Sequence, residues 1–165
     1  MGNELQSTIK DLGRTVVRRA NHKDVVWISE HMRRDDIREV MAVGKTPYES
    51  LRGGLIKSVR CITVEFDGTP VLMAGVVDDM DAPGIFGNIW MLATDDLSKI
   101  RKDFLRHGHE VVDYLGHGYQ HIGNGVAAFN KKHIRWLCWM GFRFYNQFKI
   151  GDVPFYSFGM MMNHV

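Results

Sequence analysis

The chain has 165 residues, 45% hydrophobic and 24% charged, with a formal net charge of +2. That length suits one domain with a real core, and so small a net charge gives no case for nucleic-acid binding by bulk charge. No apolar run is long enough to span a bilayer, the N-terminus lacks a secretory pattern, and the distant, apolar-set Cys61 and Cys138 point to a reduced setting without a disulfide.

Residues 1–13 carry little pattern and read as a loose N-terminal arm, and residues 14–165 as a single domain. Thr15–Ala20 alternates as a first strand. Asn21 or Asp24 then caps a helix in which Val25, Ile28 and Met32 share a face. The Arg33-Arg34-Asp35-Asp36 group interrupts that face, and further helical turns follow with Ile37, Val40 and Met41. Thr46-Pro47-Tyr48-Glu49 starts another helix, with Thr as cap, Pro at the first position and Glu in the first turn. It runs to about Lys57, although Gly53 and Gly54 weaken it. Cys61–Phe66, the Asp67-Gly68 turn and Pro70–Val77 form a hairpin. Gly84–Asn88 reads as a turn and Ile89–Thr94 as a strand. Ser98–Leu115 is the longest helical signal, with Ile100, Phe104, Val111 and Leu115 on one face and Gly116 as its stop. Val126–Phe129 is a strand. Lys131–Met140 is a helix capped by the Asn130 side chain and ended by Gly141 in the left-handed region. Ile134, Leu137 and Cys138 lie on its inner face. Phe142–Tyr145 and Phe155–Met160 are aromatic-rich strands joined by Gly151–Pro154.

The unit of strand, Asn130, short helix and Gly141-Phe142 resembles the last acyl-CoA-contacting segment of the GNAT superfamily of N-acetyltransferases. The coarse element order, β α α β β β α β α β β, matches that fold, an α+β architecture with a mixed, mostly antiparallel central sheet flanked by helices. The resemblance implies that any acetyl-CoA would meet Leu92, Ala93, Thr94 and Asn130. It also implies three catalytic requirements. A glycine loop should bring backbone N–H groups to the pyrophosphate, yet Thr94-Asp95-Asp96-Leu97-Ser98-Lys99 has no glycine and sets two carboxylates where that anion would sit. Asp95 and Asp96 read instead as first-turn residues that suit a helix N-terminus. A tyrosine acid is expected four residues before the Gly of Gly-Phe, where Leu137 stands; Cys138 beside it reads as a buried core thiol. A carboxylate base is expected on the strand before the loop, and Ile89–Thr94 holds none; Asp78 and Asp79 read as solvated loop residues. No catalytic residue is assigned.

Other clusters carry less. His117 and His121 have metal-pair spacing, but Gly116 and Gly118 argue against a helix there, and no metal site is assigned. Lys131, Lys132 and Arg135 oppose the helix dipole; they read as a solvated face, with phosphate, acidic protein or DNA as the partner such charges would serve. His133 reads as a surface residue, and Trp136 and Trp139 as packing.

A closer resemblance covers all but the first dozen residues. Met32-Arg33 with Asp36 and Glu39, Thr46–Leu51, Asp67–Val71, Ile89–Thr94, Arg101 with Phe104–Arg106, Asn130, Ile134–Leu137, Gly141-Phe142 and Gly151–Phe155 together resemble a family of GNAT-like proteins from tailed phages of the T7 group, which act as internal virion or head-assembly proteins. The resemblance implies a virion-morphogenesis protein with a degenerate cofactor loop and no cofactor. It would work through contacts with other virion proteins, in the host cytoplasm during assembly or in the virion, and would not be secreted. The alternative is an active N-acetyltransferase using acetyl-CoA through a divergent loop on a host or phage amine. Both readings share one fold.

Overall fold

Reciprocal hydrogen bonds fix where the first helices begin in a computed structural model, which describes residues 7–163. In α1 (His22–Glu30), the Asn21 carboxamide accepts from the N–H groups of Lys23 and Asp24, and the Asp24 carboxylate accepts from the Asn21 N–H. In α3 (Pro47–Lys57), Thr46 and Glu49 do the same. Each box satisfies orphan donors of a first turn. Between them, α2 (Arg34–Ala42) starts after Arg33 without a side-chain cap.

The strands are β1 (Thr8–Asp11), β2 (Thr15–Arg19), β3 (Ser58–Phe66), β4 (Thr69–Asp78), β5 (Phe86–Ala93), β6 (His121–Ala127), β7 (Arg143–Ile150) and β8 (Val153–Met161). They form one sheet in the order β1-β2-β3-β4-β5-β6-β8-β7. Every neighbouring pair is antiparallel except β5 and β6. That parallel pairing covers only Phe86–Asn88 against His121–Gly123. Beyond it the two strands part, and the sheet opens into a wedge. The crossover between them is a 3-10 helix (Asp95–Ile100) followed by α4 (Arg101–Gly116), and α5 (Lys131–Trp139) follows β6.

Alternation along β4 shows how both faces are covered. Leu72 and Ala74 join the core under α4 and α5, with Ile100, Leu115, Leu137 and Phe158. Met73, between them, joins Val25, Ile28, Val40 and Leu51 under α1–α3. A period of two sends neighbouring residues to opposite faces, so a strand buried on both sides reads as a continuous apolar run.

Several local expectations change. Residues 1–6 of the expected arm lie outside the described residues, while Thr8–Asp11 is an edge strand on β2. A third helix precedes β3. Strand β6 runs Ile122, Gly123, Asn124 and Gly125 into its middle, so it starts well before Val126. Its glycines hid it from propensity, yet Gly123 is required: a Cβ there would lie 2.3 Å from the Phe158 carbonyl oxygen. Cys138 is exposed, not buried; the inner face of α5 is Leu137 and Met140, with Ile134 and Trp136 packed against it.

Gly141 ends α5 as expected. Its φ is +90°, its N–H donates to the Cys138 carbonyl at 3.1 Å, and the Phe142 N–H donates to the Leu137 carbonyl at 3.0 Å. These are the two bonds of a Schellman stop. A Cβ on Gly141 would meet only Met160 Cε, at 3.5 Å, so a side chain fits and only the backbone objects. Gly141→Val is expected to cost about 2 kcal/mol, because a β-branched residue resists positive φ. Gly141→Asn should lose much less. Thermal melts of the two variants check this; equal stability for Val and Gly would mean the helix does not end through a left-handed residue.

Candidate functional site

Where β5 and β6 part, the inner edge of β5 loses its sheet partner, and its N–H and C=O groups need others. The Asn124 carboxamide reaches across and donates to the Ile89 carbonyl at 2.9 Å. Further along, the turn between α1 and α2 lies against the strand. The Arg33 N–H donates to the Ala93 carbonyl at 2.8 Å, and Met32 forms an antiparallel bridge with Thr94. The Ala93 N–H donates to Asp36 Oδ2 at 2.9 Å. The Thr94 N–H goes to the Val71 carbonyl of β4, at 2.8 Å.

Asp36 is only 2% exposed and Asn130 is fully buried. A carboxylate at that depth needs partners, and Asp36 has several. Arg33 makes a fork to it, Nη2 to Oδ1 at 2.7 Å and Nε to Oδ2 at 3.2 Å. Asn130 Nδ2 donates to Asp36 Oδ1 at 3.1 Å and to Glu39 Oε2 at 2.8 Å. Asn130 Oδ1 in turn accepts from Arg33 Nη2 at 2.9 Å. Among the described residues, no buried side-chain nitrogen or oxygen lacks a partner.

The four residues tied to acetyl-CoA by resemblance therefore do come near one another, but most of their polar groups are already used within the fold. Ala93 bonds through its carbonyl to Arg33 and through its N–H to Asp36 of α2, Thr94 bonds to β4, and the Asn130 carboxamide lies within the ionic network. Leu92 packs against the core beneath α1–α3. The expected Asn130 cap is corrected: α5 has no side-chain cap bond, because the Asn130 amide is engaged by α2. The stretch after Thr94 is a 3-10 helix. There the Asp96 N–H donates to Thr94 Oγ1, and Asp96 pairs with Lys99 at 3.3 Å.

Beside the network lies a cavity of about 600 Å³, bordered by Glu39, Trp90, Met91, Asn124, His133 and Leu137 among mostly apolar neighbours. Burial, with repulsion from Asp36, pushes the Glu39 carboxyl up to about 7 against the opposing hydrogen bond from Asn130. Burial pushes His133 down to about 4, which corrects its reading as a surface residue. A carboxyl near 7 can exchange a proton at neutral pH, and Glu39 is the group here with that capacity. Sequence reasoning assigned no role to Arg33, Asp36 and Glu39. Their signal was a three-residue spacing, which puts charges on one face of a short helix. Asp78 and Asp79 order the β4–β5 loop, through bonds from the Gly84 N–H and from Asn88 Nδ2. His117 follows α4 and His121 opens β6, so helical pair spacing does not arise. No helix among the described residues is long and apolar enough to cross a membrane.

Comparison with known proteins gives a family and a fold. A family model described as bacteriophage T7, probable scaffold protein Gp13, matches residues 61–149. No curated protein matches the chain. A GNAT-family acetyltransferase from Bacillus anthracis superposes with a TM-score of 0.66 at 12% identity, over 93% of this chain and 98% of that one. AAC(6')-Ib in complex with ribostamycin and coenzyme A gives 0.67 at 15% identity, over 90% and 94%. A spermidine N-acetyltransferase SpeG chimera from Vibrio cholerae and hSSAT gives 0.63 at 14% identity, over 90% and 96%. The fold is therefore GNAT-like, as the element order implied.

Two outcomes test the network. Serine caps a helix about as well as asparagine, so a capping role would spare Asn130→Ser. Here both Asn130→Ser and Asn130→Ala are expected to lose about 1–3 kcal/mol in urea melts, since each strips Glu39 of its donor and Arg33 of an acceptor. For Glu39, a folded-state value of about 7 against an ordinary 4.5 means the folded form holds the proton longer. Its contribution to stability thus falls as pH rises from 4.5 to about 7. His133, at about 4 against 6.5, gives the opposite slope between those values. Glu39→Gln should remove the fall and raise stability at pH 8 by on the order of 1–2 kcal/mol. Melts from pH 5 to pH 8 read this directly.

Proposed function

The chain belongs to the family of the bacteriophage T7 probable scaffold protein Gp13, and on that premise we propose that it is a phage virion-morphogenesis protein whose N-acetyltransferase fold serves as an attachment body. It works by contact with other virion proteins, in the host cytoplasm during assembly or within the virion, and needs no cofactor. One observation carries this reading: both backbone groups of Ala93 on the wedge side are bonded to Arg33 and Asp36. An acyl-CoA lying along β5 would have to break those bonds and strand a buried carboxylate. The glycine-free, acidic stretch Asp95-Asp96 adds to the barrier. Catalysis needs a cofactor held within narrow geometric limits, and the groups that would hold it are committed elsewhere.

A second reading has one observation in its favour, the Glu39 carboxyl poised near 7 beside an apolar cavity. In that reading Glu39 takes a proton from an ammonium substrate. The freed amine attacks the thioester carbonyl, the C–S bond breaks, and the remaining ammonium proton passes to the departing thiolate, which yields an N-acetyl product and coenzyme A.

Acetyl-CoA binding separates the two. A ligand at 100 times its dissociation constant stabilises a folded protein by about 2.7 kcal/mol, roughly 5–10 °C for a chain of this size. With 1 mM acetyl-CoA we expect no rise in melting temperature and no calorimetric heat. A clear rise, together with acetyl transfer to a polyamine that Glu39→Gln abolishes while the rise persists, would establish the enzymatic reading instead.

A further inference from the structure

Arg101, Lys102 and Arg106 on α4, and Lys131, Lys132 and Arg135 on α5, are all exposed. None of them forms an ion pair or hydrogen bond among the described residues. The two helices lie side by side. The Phe104 and Trp136 rings stack at 4.2 Å, Trp139 Nε1 donates to the Leu105 carbonyl at 3.4 Å, and Gly108 leaves room for Met140. These contacts advance along both helices in the same direction, so the N-terminal halves are neighbours. Arg101 lies one turn before Leu105, and Lys132 one turn before Trp136, on the stripes that form the seam. Arg101 and Lys132 thus flank the seam, and the other four cations are exposed on the same two helices.

The surrounding acids offset this charge only in part. Asp103 accepts from Thr15 Oγ1 at 2.6 Å, Asp96 holds Lys99, and Glu110 is engaged by Lys10 and His107. Asp95, at the head of the 3-10 helix, and Asp113, on α4, are exposed carboxylates outside the ion pairs of the described residues. With a formal net charge of +2, these six cations leave the rest of the chain at −4.

The kind of anion follows from what the face lacks. Protein interfaces are centred on desolvated apolar anchors, with charge at the rim. Here charge occupies the centre. Trp136 is covered by Phe104, and Trp139, 59% exposed, stands at the C-terminal margin of α5. Phosphodiester backbones are held by Lys and Arg without an apolar core. We propose that the α4–α5 face binds the phosphate backbone of duplex nucleic acid without sequence preference. This is independent of whether the chain transfers acetyl groups.

The test is fluorescence anisotropy of the full chain with a 20-bp duplex of random sequence, across 50 to 200 mM salt. Log affinity should fall against log salt with a slope of roughly −4 to −5, about 0.9 for each phosphate contact. Lys131→Glu/Lys132→Glu/Arg135→Glu should weaken binding at least about tenfold and flatten the slope by roughly 3. The control Lys23→Glu/Arg52→Glu/Lys57→Glu, on the α1–α3 face, should change affinity by less than about threefold, since charges far from the contact are largely screened. Acidic residues suit a helix N-terminus, so the α5 variant should melt at or above the wild type; Lys131→Gln/Lys132→Gln/Arg135→Gln repeats the test without added charge. Absence of binding at 50 mM salt would overturn the proposal. So would equal losses in the patch and control variants, or tighter binding to polyglutamate than to the duplex, which would assign the face to an acidic protein.

Discussion

A carboxylate buried at the point where two strands separate organises this molecule. The Asp36 carboxylate, 2% exposed, needs several donors in place of water, and the donors come from three distant parts of the chain. Arg33 precedes α2, Ala93 ends β5, and Asn130 sits between β6 and α5. One side chain therefore fixes the α1–α2 turn against the open edge of the sheet and ties the last helix to both. Replacing such a group leaves buried partners unmet, which costs more than the bond itself contributes.

That constraint also separates fold from activity. This chain and the acetyltransferases it superposes on share a sheet at 12% to 15% identity, and fold alone does not carry chemistry. A splayed sheet exposes backbone donors and acceptors that something must satisfy. In this protein the chain's own turn and side chains do so at Ala93 and Ile89. The apolar space left beside them is bordered by a carboxyl and an imidazole whose charged forms are both disfavoured by burial.

Charge is handled in two ways in this molecule. Near the wedge and along β2 it is paired internally: Arg33 with Asp36, and Arg18 with Asp24 and Glu65. Along α4 and α5 it is displayed. Exposed cations without partners add little to stability, which leaves the solvent-facing surface as the place where their arrangement has consequences.

Local spacing determined much that could be read from the chain alone. The helix starts at Asn21 and Thr46, the hairpin about Asp67-Gly68 and the stop at Gly141 each depend on residues a few positions apart, and short-range hydrogen bonding and side-chain periodicity act at that range. The absence of glycine after Thr94 was equally legible. Only the tertiary structure decided what Asn130, His133 and Cys138 do. Asn130 could have capped its own helix; instead it bonds to Arg33, 97 residues away, because the sheet brings α2 to that point. The same packing half-buries His133, exposes Cys138 and gives Glu39 its altered acidity. Burial is a property of what surrounds a side chain, and those surroundings come from strands far away in sequence.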